Sequence, residues 1–198
     1  MKHLFGCNFA LLAVVILASA GCSVSEDQQA IGAIKEVGGR MKTDAQSNVI
    51  EVDLSRTGAN DDVVAMLRAL PTIKSLNCGH TPVTGATLNQ LVALPALESL
   101  YLVGSQLNDA GLANVAPLTS LETLHVGSTK ITDAGLPAVR GLSQLRTFTA
   151  ASTDISDAGL VNFRNLKDLT MLKLNHTKVT PAGALELRRF LPSTQIDR

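Results

Sequence analysis

The stretch HVGSTKITDAGL (His125–Leu136) places a histidine, a serine and an aspartate within nine residues. Such a cluster would suit a hydrolase, but the same pattern recurs along the chain. When the sequence is written in rows of 24 residues, six rows align without a gap over residues 49–192. A helix start can be copied at a fixed spacing, whereas a catalytic aspartate has no reason to be, so Asp133 is predicted to be structural. The rows, called repeats 1–6, begin at Val49, Ile73, Leu97, Leu121, Leu145 and Leu169.

Each repeat carries the same pattern of apolar residues. In repeat 4, positions 1, 4, 6 and 11 are Leu121, Leu124, Val126 and Ile131. Alternation of positions 4 and 6 with polar neighbours predicts a short strand with one buried face. Position 12 is Ser, Thr or Asn throughout and position 13 is mostly Asp, which predicts a helix start in every repeat. Apolar positions 16, 19 and 22 predict the buried face of that helix, with Phe190 closing repeat 6.

The pattern L-x-x-L-x-L-x-x-T-x-I followed by T-D-A-G-L resembles the leucine-rich repeat family, above all repeats that read ITDAGL after the strand. The resemblance covers residues 49–192. It implies an α/β leucine-rich repeat solenoid, a horseshoe-like arc with parallel strands on its concave face and short helices on its convex face. At position 9 the chain has Thr or Ser where the family often has Asn or Cys. A hydroxyl there is expected to bond backbone groups in the turn, and Thr129 to bond the coil beneath.

The segments flanking the repeats are predicted to close the core. Residues 23–48 form a linker and an N-terminal cap, in which Ile31, Ile34 and Val37 lie at helical spacing. Arg40–Thr43 is expected to pair with the first strand through the turn DAQSN. Residues 193–198 are predicted to add a C-terminal stub strand, because Ile196 falls at position 4 of a seventh row.

Residues 1–22, MKHLFGCNFALLAVVILASAGC, are predicted to be a signal peptide. Their apolar run, Phe9–Ala20, is too short to span a bilayer comfortably and has the length of a signal-peptide core. The segment SAGC (Ser19–Cys22) resembles the lipobox of bacterial lipoproteins, although Ser19 replaces the usual leucine. That resemblance implies lipid attachment at Cys22 and a place at the bacterial outer membrane or in the periplasm. Cleavage after Ala20 would instead give a secreted protein.

Charge and cysteine content argue against several classes of function. Lys plus Arg and Asp plus Glu both number 17, with no block of like charge, which argues against a nucleic-acid partner and against a polybasic membrane patch. Cys7, Cys22 and Cys78 have neither a disulfide framework nor metal-ligand spacing. Cys78 replaces a core leucine at position 6 and is predicted to be an inert buried thiol. No metal site and no cofactor are predicted.

Position 5 is expected to face outward on the concave sheet and to form the partner-binding surface. Tyr101, the only tyrosine, stands next to His125 and is flanked by small residues, as in the aromatic anchors of binding surfaces. The alternative is an ordinary cross-strand pair that stabilises the sheet. With position 3, the face is predicted to be acidic at its N-terminal end, hydroxyl-rich in the middle and basic at its C-terminal end. The predicted position-5 residues are Asp53, Asn77, Tyr101, His125, Thr149 and Lys173.

These features predict a monomeric, exported binding scaffold that contacts another protein at the cell envelope through its concave sheet. It is not predicted to be an enzyme, since Ser128 lies beside a turn without a base or a nucleophile elbow around it. Three alternatives remain open. The first is a protein that binds carbohydrate or a small ligand. The second is a substrate-recognition subunit of a ubiquitin ligase, although residues 23–48 are too few for an F-box. The third is an enzyme that uses His125.

Overall fold

A computed structural model describes residues 24–198, which form one eight-stranded sheet whose strands follow chain order. Strands β2 to β8 run parallel, and β1 pairs antiparallel with β2. Consecutive repeats are paired in register, so that Leu100 lies opposite Leu124 and Leu124 opposite Phe148. The strands are β1 (Arg40–Thr43), β2 (Val49–Asp53), β3 (Ser75–Asn77), β4 (Ser99–Tyr101), β5 (Thr123–His125), β6 (Thr147–Thr149), β7 (Met171–Lys173) and β8 (Gln195–Asp197).

Helical segments connect the strands and form a second layer against the sheet. Many are 3₁₀ helices, whose three residues per turn place positions 16, 19 and 22 on one face. In repeat 4 these positions are Leu136, Val139 and Leu142, all fully buried. The α-helices are α1 (Glu26–Glu36), α2 (Asp61–Met66), α3 (Asp109–Ala113) and α4 (Pro181–Arg188), and the 3₁₀ helices are Leu67–Ala69, Leu88–Ala93, Leu136–Gly141 and Asp157–Phe163.

One continuous aliphatic core runs between the two layers. It begins at Ala30 and Ile34 of α1 and ends at Ile196 of β8. In repeat 5 the aromatic rings of Phe148 and Phe163 pack with their centroids 5.0 Å apart. The leucine-rich repeat solenoid predicted from the sequence is therefore the observed fold.

The last repeat departs from the predicted core at Phe190. That side chain is 40% exposed, whereas Leu191 is buried. The reason is that the four-residue spacing of α4 continues past its end, where the Leu191 amide bonds the Leu187 carbonyl at 3.1 Å. Leu187 and Leu191 therefore share the buried face. The prediction that Phe190 closes the core was therefore wrong.

The position-13 aspartates connect neighbouring coils in addition to lying near helix starts. Asp133 Oδ1 accepts a hydrogen bond of 2.8 Å from the Ser156 amide, and its Oδ2 accepts one of 2.5 Å from the Ser156 hydroxyl. Asp109 bonds Thr132 in the same way. Further examples of this carboxylate ladder are Asp61 with Thr84 and Asp157 with Thr180. Position 13 therefore stabilises the stacking of coils, a role the repeat pattern did not reveal.

Position 12 caps a helix in only some repeats. The side chains of Asn60 and Asn108 accept amide hydrogen bonds in the first turns of α2 and α3. In repeats 2 and 4 the helical segment starts later, at Leu88 and Leu136. The prediction of a position-12 cap in every repeat was therefore wrong for Thr84 and Thr132.

The junction between repeats 2 and 3 replaces the ladder with a close glycine contact. Position 13 of repeat 2 is Gly85, which has no carboxylate and adopts a φ of +89°. Its backbone lies against Gly111 of α3, where a Cβ atom would overlap the Thr84 carbonyl oxygen. The Asn114 side-chain amide donates to the Gly85 carbonyl at 3.0 Å. The two coils therefore stack through backbone contact and one amide.

The position-9 hydroxyls bond their own coil. Thr129 Oγ1 donates to the Val126 carbonyl at 2.6 Å. Thr153 likewise bonds Ala150 in repeat 5. These bonds close the turn after each strand, so the expectation that Thr129 bonds the coil beneath was wrong.

Position 8 adopts a left-handed backbone conformation in all six repeats. Ser128 has a φ of +55°, and Gly104 is the only glycine among the position-8 residues. The others are Arg56, His80, Ser152 and His176. Side chains with a Cβ atom are strained in this region by about 1–2 kcal/mol each.

Ser128→Gly is therefore expected to raise the free energy of unfolding by about 0.5–1 kcal/mol. Relief of the left-handed strain outweighs the additional chain entropy that glycine loses on folding, about 0.5–1 kcal/mol. Urea denaturation followed by circular dichroism measures the change. Ser128→Ala keeps the strain and serves as the control, expected within about 0.5 kcal/mol of wild type. Equal stability of the glycine and alanine variants would contradict the strain.

Candidate functional site

The six predicted position-5 residues form one row across the sheet. The strand register pairs Asp53 with Asn77, Asn77 with Tyr101 and Tyr101 with His125. It continues from His125 to Thr149 and from Thr149 to Lys173. All six are partly exposed, while the position-4 and position-6 side chains beside them are buried. We call the outward side of the sheet at positions 3, 5 and 7 the concave face.

Tyr101 and His125 form an aromatic pair near the middle of the row. Their ring centroids are 5.0 Å apart with an interplanar angle of 81°, an edge-to-face contact. Partial burial lowers the pKa of His125, and the positive charge of Lys173 lowers it further. The imidazole is therefore neutral at pH 7 and offers one donor and one acceptor.

The acidic N-terminal end predicted for the concave face is neutralised by β1. Arg40 lies 2.6 Å from Asp53, and Lys42 lies 2.7 Å from Glu51. The sequence placed β1 beside the first strand but did not reveal that its cations reach these carboxylates.

Asp53 remains ionised even though it is partly buried. Burial by itself would raise the pKa of its carboxyl, but hydrogen bonds from Ser55 and the Arg40 guanidinium outweigh that effect and lower it. The side chain of Asn77 is also used internally, because its Oδ1 accepts the Gly79 amide at 3.0 Å. Asp53 and Asn77 therefore support the local backbone, and less of their hydrogen-bonding capacity is left for a partner.

The C-terminal half of the row keeps more uncommitted groups. Within residues 24–198, Lys173 forms no ion pair. Thr149 Oγ1 is buried without a hydrogen-bond partner, the one such side-chain atom in the described chain. The uncommitted polar groups of the row thus begin at the aromatic pair and extend toward Lys173.

A shallow depression of about 210 Å³ lies beside Tyr101 on the N-terminal side. Its walls combine one aromatic ring with carboxylate, amide and hydroxyl groups. The lining residues are Glu51, Val52, Asp53, Ser75, Asn77 and Tyr101. The depression has the size of one side chain or one small ring.

The other residues considered from the sequence lie apart from this row. Ser128 is in the left-handed turn and Asp133 is in the carboxylate ladder. Cys22 and the predicted signal peptide lie outside the described residues. In residues 24–198 no three His, Cys, Asp or Glu side chains come together to hold a metal ion. No helix in that range is both long and apolar enough to cross a bilayer.

Cys78 is expected to resist alkylation in the folded protein. Burial raises the pKa of its thiol to about 12, with smaller contributions from the charges of Asp61 and Asp53, so thiolate is scarce at neutral pH. Iodoacetamide followed by peptide mapping should leave Cys78 unmodified until denaturant is added, whatever the reactivity of Cys7 and Cys22. Labelling of native Cys78 as fast as that of the unfolded chain would contradict its burial.

Comparison with known proteins supports the same architecture. Residues 118–139 match the family model described as Leucine Rich repeat. The solved structure of an internalin (inlF) from Listeria monocytogenes matches with a TM-score of 0.57 and 24% identity, covering 67% of this chain and 36% of that chain. No curated protein sequence matches. The chain therefore has the fold of a leucine-rich repeat solenoid, and one stretch of it matches the model of that family.

A plant receptor has a similar fold. The leucine-rich repeat ectodomain of the Arabidopsis receptor kinase HAESA matches with a TM-score of 0.61 and 20% identity over 87% of this chain. Its structure was solved in complex with an N-terminally extended IDA peptide hormone ligand. This chain spans 30% of that ectodomain and 36% of the internalin, about a third of either.

Proposed function

We propose that this protein is a binding scaffold whose concave face contacts another protein, and that it acts without catalysis. The observation that carries the proposal is the row from Tyr101 to Lys173. An aromatic pair, which includes the neutral imidazole, lies two strands from the Lys173 ammonium group, which has no ion-pair partner within residues 24–198. Aromatic anchors surrounded by small side chains dominate the energetics of many interfaces. The HAESA ectodomain, solved in complex with a peptide hormone ligand, supports this use of the fold.

Tyr101→Ala is the direct test of this surface. The substitution is expected to leave the free energy of unfolding within about 1 kcal/mol of wild type, because the ring is partly exposed. It should weaken the binding of a validated partner by roughly 30-fold or more, because a hot-spot residue contributes at least about 2 kcal/mol to the binding free energy. Partners are captured by crosslinking in the native envelope, and affinities are measured by calorimetry.

Two variants separate a contact from a packing effect. Tyr101→Phe keeps the edge-to-face pair with His125 and is expected to retain most of the affinity. Ser99→Ala, at position 3 of the same strand, controls for a general effect on β4. Unchanged partner affinity in Tyr101→Ala would discard Tyr101 as the anchor and with it the proposed binding surface.

We also propose that the protein is exported and held at the cell envelope by lipid on Cys22. The apolar run Phe9–Ala20 and the SAGC segment support this location. Mass spectrometry of the mature N-terminus tests it. Acyl groups on a chain that begins at Cys22 are expected, and a chain that begins at Gly21 without acylation would indicate secretion instead.

Carbohydrate binding is the second candidate function, favoured by the depression beside Tyr101 with its mixed aromatic and polar walls. A glycan array probed with wild type and Tyr101→Ala distinguishes it from protein binding. Glycan signals that disappear in the variant, with no protein captured by crosslinking, would favour carbohydrate.

A further inference from the structure

Large apolar side chains are exposed on the convex face of the last two repeats. Position 17 holds Ala65, Asn89, Ala113 and Pro137 in repeats 1–4, then Val161 and Leu185 in repeats 5 and 6. Val161 is 45% exposed and Leu185 is 60% exposed. Because position 17 is small or polar in the earlier coils, stacking of the repeats does not require these large side chains. Phe190, 40% exposed, extends the apolar surface beyond α4.

Several cations lie near these side chains, and within residues 24–198 only one of them, Arg164, pairs with a carboxylate. Arg188 is the last residue of α4, and Arg189 directly follows it. They lie three and four residues after Leu185, a spacing that brings side chains to neighbouring positions on a helix. Neither arginine forms an ion pair within residues 24–198. Lys167 Nζ donates to the backbone carbonyls of Arg164 and Phe190, and it forms no ion pair in the described part of the chain.

Arg164 shows by contrast how a cation is neutralised on this side of the molecule. It pairs with Glu186 and lies 4.4 Å from the Phe190 ring centroid. In repeat 6 the equivalent of Arg164 is Arg188, whose guanidinium reaches only the Ile196 carbonyl, at 3.5 Å. The surface made of Val161, Leu185, Phe190, Lys167 and Arg189, here called the convex C-terminal patch, therefore combines exposed apolar side chains with cations that form no ion pair within residues 24–198.

We propose that the convex C-terminal patch lies on an anionic phospholipid surface. Exposed apolar side chains beside Lys and Arg without ion-pair partners are what an interfacial membrane contact requires, because anionic lipid attracts such cations. The patch is on the helical side of the solenoid, opposite the concave face, so both surfaces can be occupied at once.

The predicted anchor is compatible with this orientation. The proposal rests on the proposed membrane attachment, since Cys22 precedes the start of α1 at Glu26 by only four residues. A linker of that length spans at most about 14 Å. Helix α1 packs against α2 in the same helical layer that contains α4. A molecule lying on its helical side would bring both ends to the bilayer and turn the concave face outward.

Hydrogen exchange on the mature protein, purified from the envelope and incorporated into vesicles, tests the contact. Backbone amides of residues 185–190 are expected to exchange more slowly in phosphatidylglycerol-containing vesicles than in phosphatidylcholine vesicles. The helix Leu88–Ala93, which carries the exposed but uncharged Val92, is the internal control and should not respond. Arg189→Gln should reduce the docked population by roughly fivefold, the equivalent of about 1 kcal/mol.

The outcomes separate this proposal from the others. Equal exchange at residues 185–190 in both vesicle types would overturn it, as would protection that requires a protein partner and no lipid. Leu185→Ser should also reduce the protection, while Val92→Ser should not. Resistance of Cys78 to alkylation verifies that each variant is folded. The binding of a protein partner by Tyr101 and the acylation of Cys22 are measured independently, so either can fail without deciding this result.

Discussion

Leu124→Ala is expected to lower the free energy of unfolding by about 2–5 kcal/mol. Leu124 is fully buried at position 4 of β5, between Leu100 and Phe148 on the neighbouring strands. The truncation removes apolar contacts and leaves a cavity that two rigid neighbouring coils cannot close. Because each coil of a solenoid is stabilised by its neighbours, a defect in a central repeat weakens two junctions.

Urea denaturation followed by circular dichroism measures this loss. Leu185→Ala is the matched control, since it deletes the same atoms from a leucine that is 60% exposed. In solution without membranes it should cost no more than about 0.5 kcal/mol. A similarly small loss for Leu124→Ala would contradict the assigned register of the repeats.

Gly111→Ala is expected to destabilise the protein by about 1–3 kcal/mol or more, because the packing leaves no space for the added methyl group. It would overlap the Thr84 carbonyl oxygen and approach Cα of Gly85. Both neighbours are backbone atoms, so relief requires the coils of repeats 2 and 3 to move apart. The Asn114 bond across the same junction would lengthen with them.

Gly141→Ala is the control for this prediction. No atom lies within 4 Å of the position a Cβ would take at Gly141, so only the entropy of the unfolded chain changes. That variant is expected to gain about 0.4–1 kcal/mol, the opposite sign to Gly111→Ala. Thermal unfolding of the two variants, run side by side, reports the difference, and equal melting temperatures would rule out the tight contact.

Most of the fold could be predicted because the 24-residue repeat of the structure is visible in the sequence. Residues such as Leu124 and Ile131 recur at fixed positions, and a parallel stack then follows from burying them. The adjacency of Tyr101 and His125 follows from the same register, because residues 24 apart in the sequence lie opposite each other on neighbouring strands. The sequence could thus identify which side chains share the concave face.

Contacts between coils were harder to predict. Asp133 was assigned to its own helix, whereas its carboxylate bonds Ser156 in the next repeat. Phe190 was placed in the core because it aligns at position 22, whereas the four-residue spacing that continues from α4 buries Leu191 instead. The charge of the concave face depends on the ion pairs that Arg40 and Lys42 of β1 form with carboxylates of β2. The spacing of residues along the chain does not reveal these pairs.

The isolation of Tyr101 on the concave face has a practical consequence. The chain contains one tyrosine and no tryptophan, so Tyr101 dominates its near-ultraviolet emission. That single fluorophore lies within the proposed interface, in contact with His125. The unlabelled protein therefore carries its own optical probe, and the binding of a partner over Tyr101 is expected to change the tyrosine fluorescence.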